Sequence, residues 1–313
     1  MGDDFVKGVT VAVLPNAGLA NKLFVWAKAQ TFAHVNGIPV HTIGWSYPKI
    51  GPILRGEKSS RLYSRFFERT STAAALALIS GAAHGGIVEE PVIELRPSSV
   101  SRNVFTFRRI PGWQDMFGDI REQRTFLRHR AYAAIRPVYA ESLERLVPPI
   151  IAIHVRRGDF RQLNPNENFR DVGGVRTPDR YFTDIIHQMR SAAGVDLPIT
   201  VFSDGSDKEL SSLLSLPNVS RSKAQNDVED LLLMSRSRVI VLSAGSTYSE
   251  WAGFLSDAVL LRHPDHINGH IRPATIRQNL YEGPPPSSPG EWNHFWKASL
   301  AQHVSNLEGS GRK

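Results

Sequence analysis

Residues 151–160 read Ile-Ala-Ile-His-Val-Arg-Arg-Gly-Asp-Phe. Residues 150–155 predict a buried strand, and its end is crowded by His154, Arg156, Arg157 and Asp159. A strand with a near-continuous apolar run is covered on both faces, as in a parallel sheet flanked by helices. In an open α/β sheet, ligands bind beyond the carboxyl ends of the strands. Two adjacent arginines at such an end call for a strong anion, and guanidinium forks suit phosphate. Taken alone, the turn reads more readily as a surface Arg–Asp ion pair. The Arg157-Gly158-Asp159 tripeptide, which also spells an adhesion signal, is coincidence at the base of a strand. The rest of the chain turns the reading toward a diphosphate grip, with His154 and Asp159 orienting the remainder of a nucleotide.

The chain has 313 residues, 41% hydrophobic and 21% charged. That suits a soluble protein of two ordinary domains. With no cysteine, disulfides, thiolate metal sites and cysteine nucleophiles are excluded. The first residues are acidic and lack a secretory pattern, and Val6 occupies the position where a myristoylation signal needs Ser or Thr. The most apolar stretch, 72–83, is too short to span a bilayer and reads as a core helix. These features predict a cytoplasmic protein. The net charge of +7 favours anionic partners. Much of it lies in residues 102–136, read as a solvated helix face with some attraction to an anionic membrane surface. A nucleic-acid site there lacks any accompanying motif.

Predicted strands at 9–14 and 39–45 enclose a helix over 19–35, which Asn36-Gly37 ends. Residues 46–109 read as irregular apart from the apolar helix. Residues 117–146 read as one long helix with a kink at Pro137. Pro148-Pro149 marks the boundary between an N-terminal domain, 1–148, and a second domain, 149–275. In the latter, apolar strands at 150–155, 199–203, 239–243 and 258–261 alternate with helices near 178–193, 206–214, 227–236 and 247–256. This alternation predicts an α/β fold with a parallel sheet. Residues 276–313 form a Pro-rich linker and a closing helix, 291–307, whose stripe of Trp292, Phe295, Trp296 and Leu300 packs back on a domain.

Three strand ends converge in such a sheet: His154 to Asp159, then Ser203 and Asp204, then residues 244–249 opening a helix. A helix start rich in Gly and Ser offers backbone N–H groups and a positive dipole end, to which Ser246, Thr247 and Ser249 add hydroxyls. Each piece has an ordinary alternative. Ser246 or Thr247 is a helix cap, Asp204 a turn former, and Asp230 an acid where helix starts favour acids. No dinucleotide glycine motif, P-loop or serine-hydrolase elbow occurs. His263, Asp265, His266 and His270 cluster without the spacing a zinc site needs.

The His-x-Arg-Arg-x-Asp pattern of residues 154–159 resembles the first signature of the α-1,2- and α-1,6-fucosyltransferases and the protein O-fucosyltransferases. The remaining segments resemble the α-1,2 branch, glycosyltransferase family 11. They are the turn 16–24 (NAGLANKLF), Phe202-Ser203-Asp204, residues 230–235 (DLLLMS) and residues 246–251 (STYSEW), in the family's order. The resemblance implies a GT-B-like fold, two Rossmann-like domains facing across a cleft. It implies inverting transfer of L-fucose from GDP-fucose to a glycan hydroxyl, in α-1,2 linkage, with no metal or other cofactor. Another GDP-sugar, another linkage and a non-catalytic nucleotide- or glycan-binding relative are the alternatives. Carried over, Arg156 grips the diphosphate and Arg157 supports it. His154 and Asp230 sit near the guanosine, Ser203 and Asp204 belong to the donor site, and Ser246, Thr247 and Ser249 complete it. Gly18 and Asn21 line the acceptor side. Asp159 and Glu250 are the candidates for a general base. Ala20 and Lys22 replace the family's glycine and glutamine, and Glu250 stands where tryptophan is usual.

Overall fold

The computed structural model describes residues 8–47, 62–67, 70–84, 86–93 and 103–301. The N-terminal leader reading, Arg102 and the closing helix beyond residue 301 lie outside them. The chain divides into two compact units, the first running to Ala140 and the second from Glu141, inside a helix ahead of Pro148-Pro149.

Unit one is a parallel sheet of four strands in the order β2-β1-β4-β3. They are β1 (Val9–Val13), β2 (Val40–Ile43), β3 (Ile87–Glu89) and β4 (Val104–Phe107). Helix α1 (Leu19–Asn36) follows β1 and ends at Gly37, whose φ of 64° is the left-handed conformation a glycine cap accommodates. It is buried nearly all round. Phe32 packs on Phe105 and Phe107 at centroid distances of 4.9 and 5.5 Å, and Phe24 meets Phe117 edge-on at 4.9 Å. Helix α2 (Ser71–Ala83) packs by Ala74, Ala77 and Leu78 on a cluster with Val11 and Val104.

Three readings change here. Helix α2 is not a core helix: Leu76 and Ile79 are 63% and 67% exposed, because an apolar residue on every side of a short Ala-rich helix does not say which face is covered. The region read as irregular holds β3 and the fully buried β4. The long helix over 117–146 is α3 (Arg124–Ala133) and α4 (Pro137–Glu144), separated where Pro137 cannot continue α3.

Unit two is a six-stranded parallel sheet, β10-β9-β8-β5-β6-β7. Strands β5 (Ile151–Val155), β6 (Ile199–Ser203), β7 (Val219–Arg221), β8 (Val239–Val241), β9 (Val259–Leu261) and β10 (Glu282–Gly283) alternate with helices. These are α5 (Asp179–Ala193), α6 (Ser211–Leu214), α7 (Asp227–Met234), α8 (Thr247–Leu255), α9 (Ala274–Arg277) and α10 (Pro289–Phe295). On one face Ile151, Ile153, Val201 and Val241 meet Phe182, Ile186 and Met189 of α5, and Trp292, Phe295 and Leu300 join the same core. Strand alternation turns Ala152, His154, Ile240 and Leu260 to the other face, where Gly253 of α8 lies against Leu260. The chain leaves β5 for β6 and β7 on one side, then returns to build β8, β9 and β10 on the other. The order reverses between β5 and β8, and an open α/β sheet binds its ligands at that crevice. Among the described residues no helix is long and apolar enough to cross a membrane.

Candidate active site at the strand switch of unit two

The ends of β5, β6 and β8 meet where the sheet order reverses. The backbone N–H of Arg156 donates to Ser243 Oγ at 2.9 Å, tying the exit of β5 to that of β8. Ser203 Oγ donates to the Val155 carbonyl at 2.5 Å and accepts from Gly205 N at 3.0 Å, tying β5 to β6. Its hydroxyl therefore serves the sheet edge. Asp204 Oδ1 accepts from Arg157 N at 2.8 Å. Its Oδ2 faces Arg156 Nη1 at 2.5 Å, an ion pair whose angles do not make a hydrogen bond. Gly158 and Gly205 allow this close approach. A Cβ on Gly158 would run into the Asp204 carboxylate, and one on Gly205 would lie 2.7 Å from Arg157 Cγ.

The two arginines separate. Arg156 keeps a fifth of its side chain exposed between Asp204 and Asp159, the latter at 2.5 Å. Arg157 is buried, donating to the Asp179 carboxylate and, more distantly at 3.4 Å, to the Thr177 carbonyl. Ser212 Oγ holds the other Asp179 oxygen at 2.5 Å. Thr177 Oγ1 accepts from Ala244 N at 2.9 Å and so fixes the start of the β8 loop. Ser243, Thr177 and Asp179 escaped the sequence reading because each is an ordinary turn or cap residue until the fold brings it to β5.

His154 is buried, its ring 5.2 Å from that of Tyr248, and its Nδ1 has no hydrogen-bond partner among the described residues. Burial, then the charges of Arg156 and Arg157, holds its pKa down at about 3, so the imidazole is neutral. A buried ring nitrogen without a protein partner is uncommon, and this one lies beside the arginine pair at the end of β5. Tyr248 donates to the Asp227 carbonyl at 2.5 Å, which links α8 to the start of α7. Asp230 accepts from Ser222 Oγ at 2.5 Å. Ser246 stands at the N-cap of α8 without capping it through its hydroxyl. Ser249 is fully buried and donates back to the Ser246 carbonyl at 3.1 Å, so that hydroxyl is taken up within the helix. Thr247 is the first residue of α8, where backbone N–H groups and the helix dipole favour an anion.

Glu250 is enclosed rather than presented. It faces Arg262 at 3.3 Å, and Arg262 also faces the fully buried Glu282. Burial raises its pKa to about 7 against the pull of Arg262. This carboxylate braces α8 against β9 and β10 and is no longer a candidate base. The histidines near residue 265 are engaged singly: His266 Nε2 pairs with the Phe169 carbonyl at 2.8 Å, and His263 Nδ1 accepts from Asp265 N at 3.3 Å. Among the described residues no group of three acids or histidines is placed to hold a metal ion.

In unit one, Gly18 is the N-cap of α1 and Asn21 lies in its first turn. Lys22 is buried, donating to the Pro15 and Gly44 carbonyls at 2.8 and 2.5 Å, with Nζ 4.6 Å from the Tyr47 ring centre. The lysine that replaces the family's glutamine therefore pins the exits of β1 and β2 together.

The glycosyl transferase family 11 sequence profile matches residues 113–265, just under half of the chain and including every strand end described above in unit two. No curated protein matches the chain. Among solved structures, the chain is similar to the fucosyltransferase NodZ from Bradyrhizobium, at 12% identity and a TM-score of 0.52, covering 84% of this chain and 99% of that one. NodZ α-1,6-fucosyltransferase soaked with GDP-fucose aligns at 12% identity and 0.51, covering 84% and 97%. The same enzyme co-crystallised with GDP aligns at 13% and 0.51, covering 84% and 99%. At such identities the likeness speaks for the fold. Over residues 113–265, then, the chain matches the glycosyl transferase family 11 profile, and its α/β fold is similar to that of the NodZ fucosyltransferases.

Proposed function

We propose that the protein is an inverting glycosyltransferase that moves L-fucose from GDP-fucose to a sugar hydroxyl of a glycan or surface-polysaccharide precursor, forming an α-1,2 linkage. The observation that carries this reading is the position of Arg156. It stands at the β5–β8 switch, fixed to Ser243 through its backbone N–H and partly exposed at its guanidinium. The leaving group is a nucleoside diphosphate. Stabilising the charge that develops on its β-phosphate is the main catalytic demand, and a preorganised guanidinium meets it. Arg157, bound to Asp179 beneath the strand, positions Arg156 from behind. Neutral His154 and Asp230 lie on the guanosine side, and the first turn of α8 at Ser246 and Thr247 completes the phosphate cradle. Asp159, half exposed beside Arg156, is the carboxylate placed to take the acceptor proton. Gly18 and Asn21 belong to the acceptor side. No metal ion or other cofactor enters this reading.

The family-level match supports the chemistry, while the α-1,2 linkage rests on the resemblance of the signatures. Calorimetric titration with GDP, GDP-fucose, GDP-mannose and UDP, without added metal, tests the donor. GDP and GDP-fucose are expected to bind at least tenfold more tightly than UDP, and equal binding of UDP would sink the assignment. Incubation with GDP-fucose and a panel of oligosaccharides, followed by NMR of the product, reads the linkage directly.

A further inference from the structure

Unit one ends β4 with the same dipeptide that ends β5 in unit two: Phe107-Arg108-Arg109 beside Val155-Arg156-Arg157. The device that holds each pair is also the same. Asp204, just past the neighbouring strand β6, accepts from the backbone N–H of Arg157. Glu90, just past the neighbouring strand β3, accepts from the N–H groups of Arg108 and Arg109 at 2.5 and 2.7 Å. Lys28 of α1 holds the second Glu90 oxygen at 2.6 Å. Glu90 adopts a φ of 47°, a left-handed conformation that costs a non-glycine residue roughly 1–2 kcal/mol, so its three bonds maintain a conformation the residue would not choose. Lys28 neutralises the Glu90 carboxylate and leaves the arginine charges in excess.

The two pairs differ in one respect. In unit two, Arg156 and Arg157 are met by Asp159, Asp204 and Asp179. In unit one, the guanidinium of Arg109 meets no carboxylate among the described residues. Among the described residues, the carboxylate that Arg108 faces is a distant surface one, Glu89 at 3.8 Å. Four residues on, Trp113 is 47% exposed in the turn that leaves β4. A large ring held at the surface presents an apolar platform, and the exposed guanidinium forks four and five residues before it in the chain match phosphate or carboxylate oxygens.

We propose that this edge of unit one binds an anionic group on the sugar acceptor, a phosphate or a ring carboxylate, with the sugar face against Trp113. The inference rests on the transferase reading for the word acceptor, but its geometry belongs to unit one alone. The two sources of the anion, a glycosyl phosphate and an acidic sugar, share this chemistry and are separated by the test.

N-acetylglucosamine 1-phosphate, glucuronic acid and N-acetylglucosamine are titrated calorimetrically into the full chain, with GDP at saturation to fill the donor site. One or both anionic sugars are expected to bind about tenfold or more tightly than the neutral one, and the tighter of the two names the source. R109A and the R108A/R109A double variant are expected to remove that preference. These side chains are exposed, so circular dichroism should be unchanged. W113A should weaken all three sugars, and R156A should leave their binding intact. Equal binding of neutral and anionic sugars overturns the proposal. So does loss of the anion preference in R156A with retention in R109A, because the anion would then occupy the donor site. A chain that binds no GDP speaks against the transferase reading instead, and the same contrast between R109A and R156A without GDP still judges this edge.

Discussion

Arg156 shows part of its guanidinium to solvent between two aspartates, while Arg157 turns beneath the strand to Asp179 and the Thr177 carbonyl. Substituting them should therefore fail in different ways. R156A is expected to lower transfer by about 10²–10³-fold with little change in the unfolding midpoint. R157A is expected to cost about 2 kcal/mol of stability, read by urea unfolding, because it strands a carboxylate that is still partly solvated. Equal losses of stability in the two variants would contradict this division. His154 gives a third reading at this scale. With its folded pKa near 3, below the ordinary value, its neutral form contributes stability that is present above about pH 6.5 and lost as pH falls toward 3. Its ring signals in NMR should stay flat between pH 5 and 8. The sequence displayed both arginines and their charge. It could not show that one side chain goes up and the next goes down, because that depends on Asp179, Thr177 and Ser243 arriving from other strands.

Helix α8, strands β9 and β10 and the loop between them are joined by buried charge. Arg262 lies between Glu250 and Glu282, and Arg272 donates to the Gly253, Ser256 and Ala258 carbonyls from full burial. R272A leaves several carbonyls unpaired in the interior and should destabilise the protein by about 3 kcal/mol. Glu250 has a folded pKa raised to about 7. The folded state thus holds a proton that the unfolded chain releases near pH 4.5, and stability declines as pH rises through that interval. E250Q is expected to flatten this dependence, measured as urea midpoints from pH 4.5 to 8, and an unchanged slope would refute the assignment. At this scale the sequence told most about the long, strongly patterned elements, such as α1, α5 and β5. It did not reveal β3, β4, β7 and β10. Strands β8 and β9 are as short, but each is a continuous Val/Ile/Leu run that follows a recognised helix; β3, β4, β7 and β10 lack such a run, and each exists through its pairing with a neighbour.

Across the whole chain, the two proposals assign the donor to the switch between β5 and β8 in unit two and the acceptor's anionic group to the arginine pair after β4 in unit one. If GDP occupies the switch, hydrogen exchange should slow at residues 154–159 and 243–250 and stay unchanged at 108–113. A sugar phosphate should give the reverse pattern. GDP at 100 times its dissociation constant is expected to stabilise the folded state by about 2.7 kcal/mol, seen as a rise in the unfolding midpoint that R156A abolishes.

The sequence by itself determined that this is an α/β protein, that residues 151–160 form a strand with a basic exit, and that this exit belongs with the segments at 202–204, 230–235 and 246–251. Hydrophobic runs and residue order are properties of the chain, so they are legible along it. Only the tertiary structure decided which of these groups are taken up within the fold and which stay exposed. It occupied the hydroxyls of Ser203 and Ser249 within the fold, enclosed Glu250 with Arg262, buried Arg157 and left Arg156 at the surface. It also set a second arginine pair at the edge of unit one, held by Glu90 and Lys28. Partners of that kind are separated by many residues, and the parallel sheets bring them together.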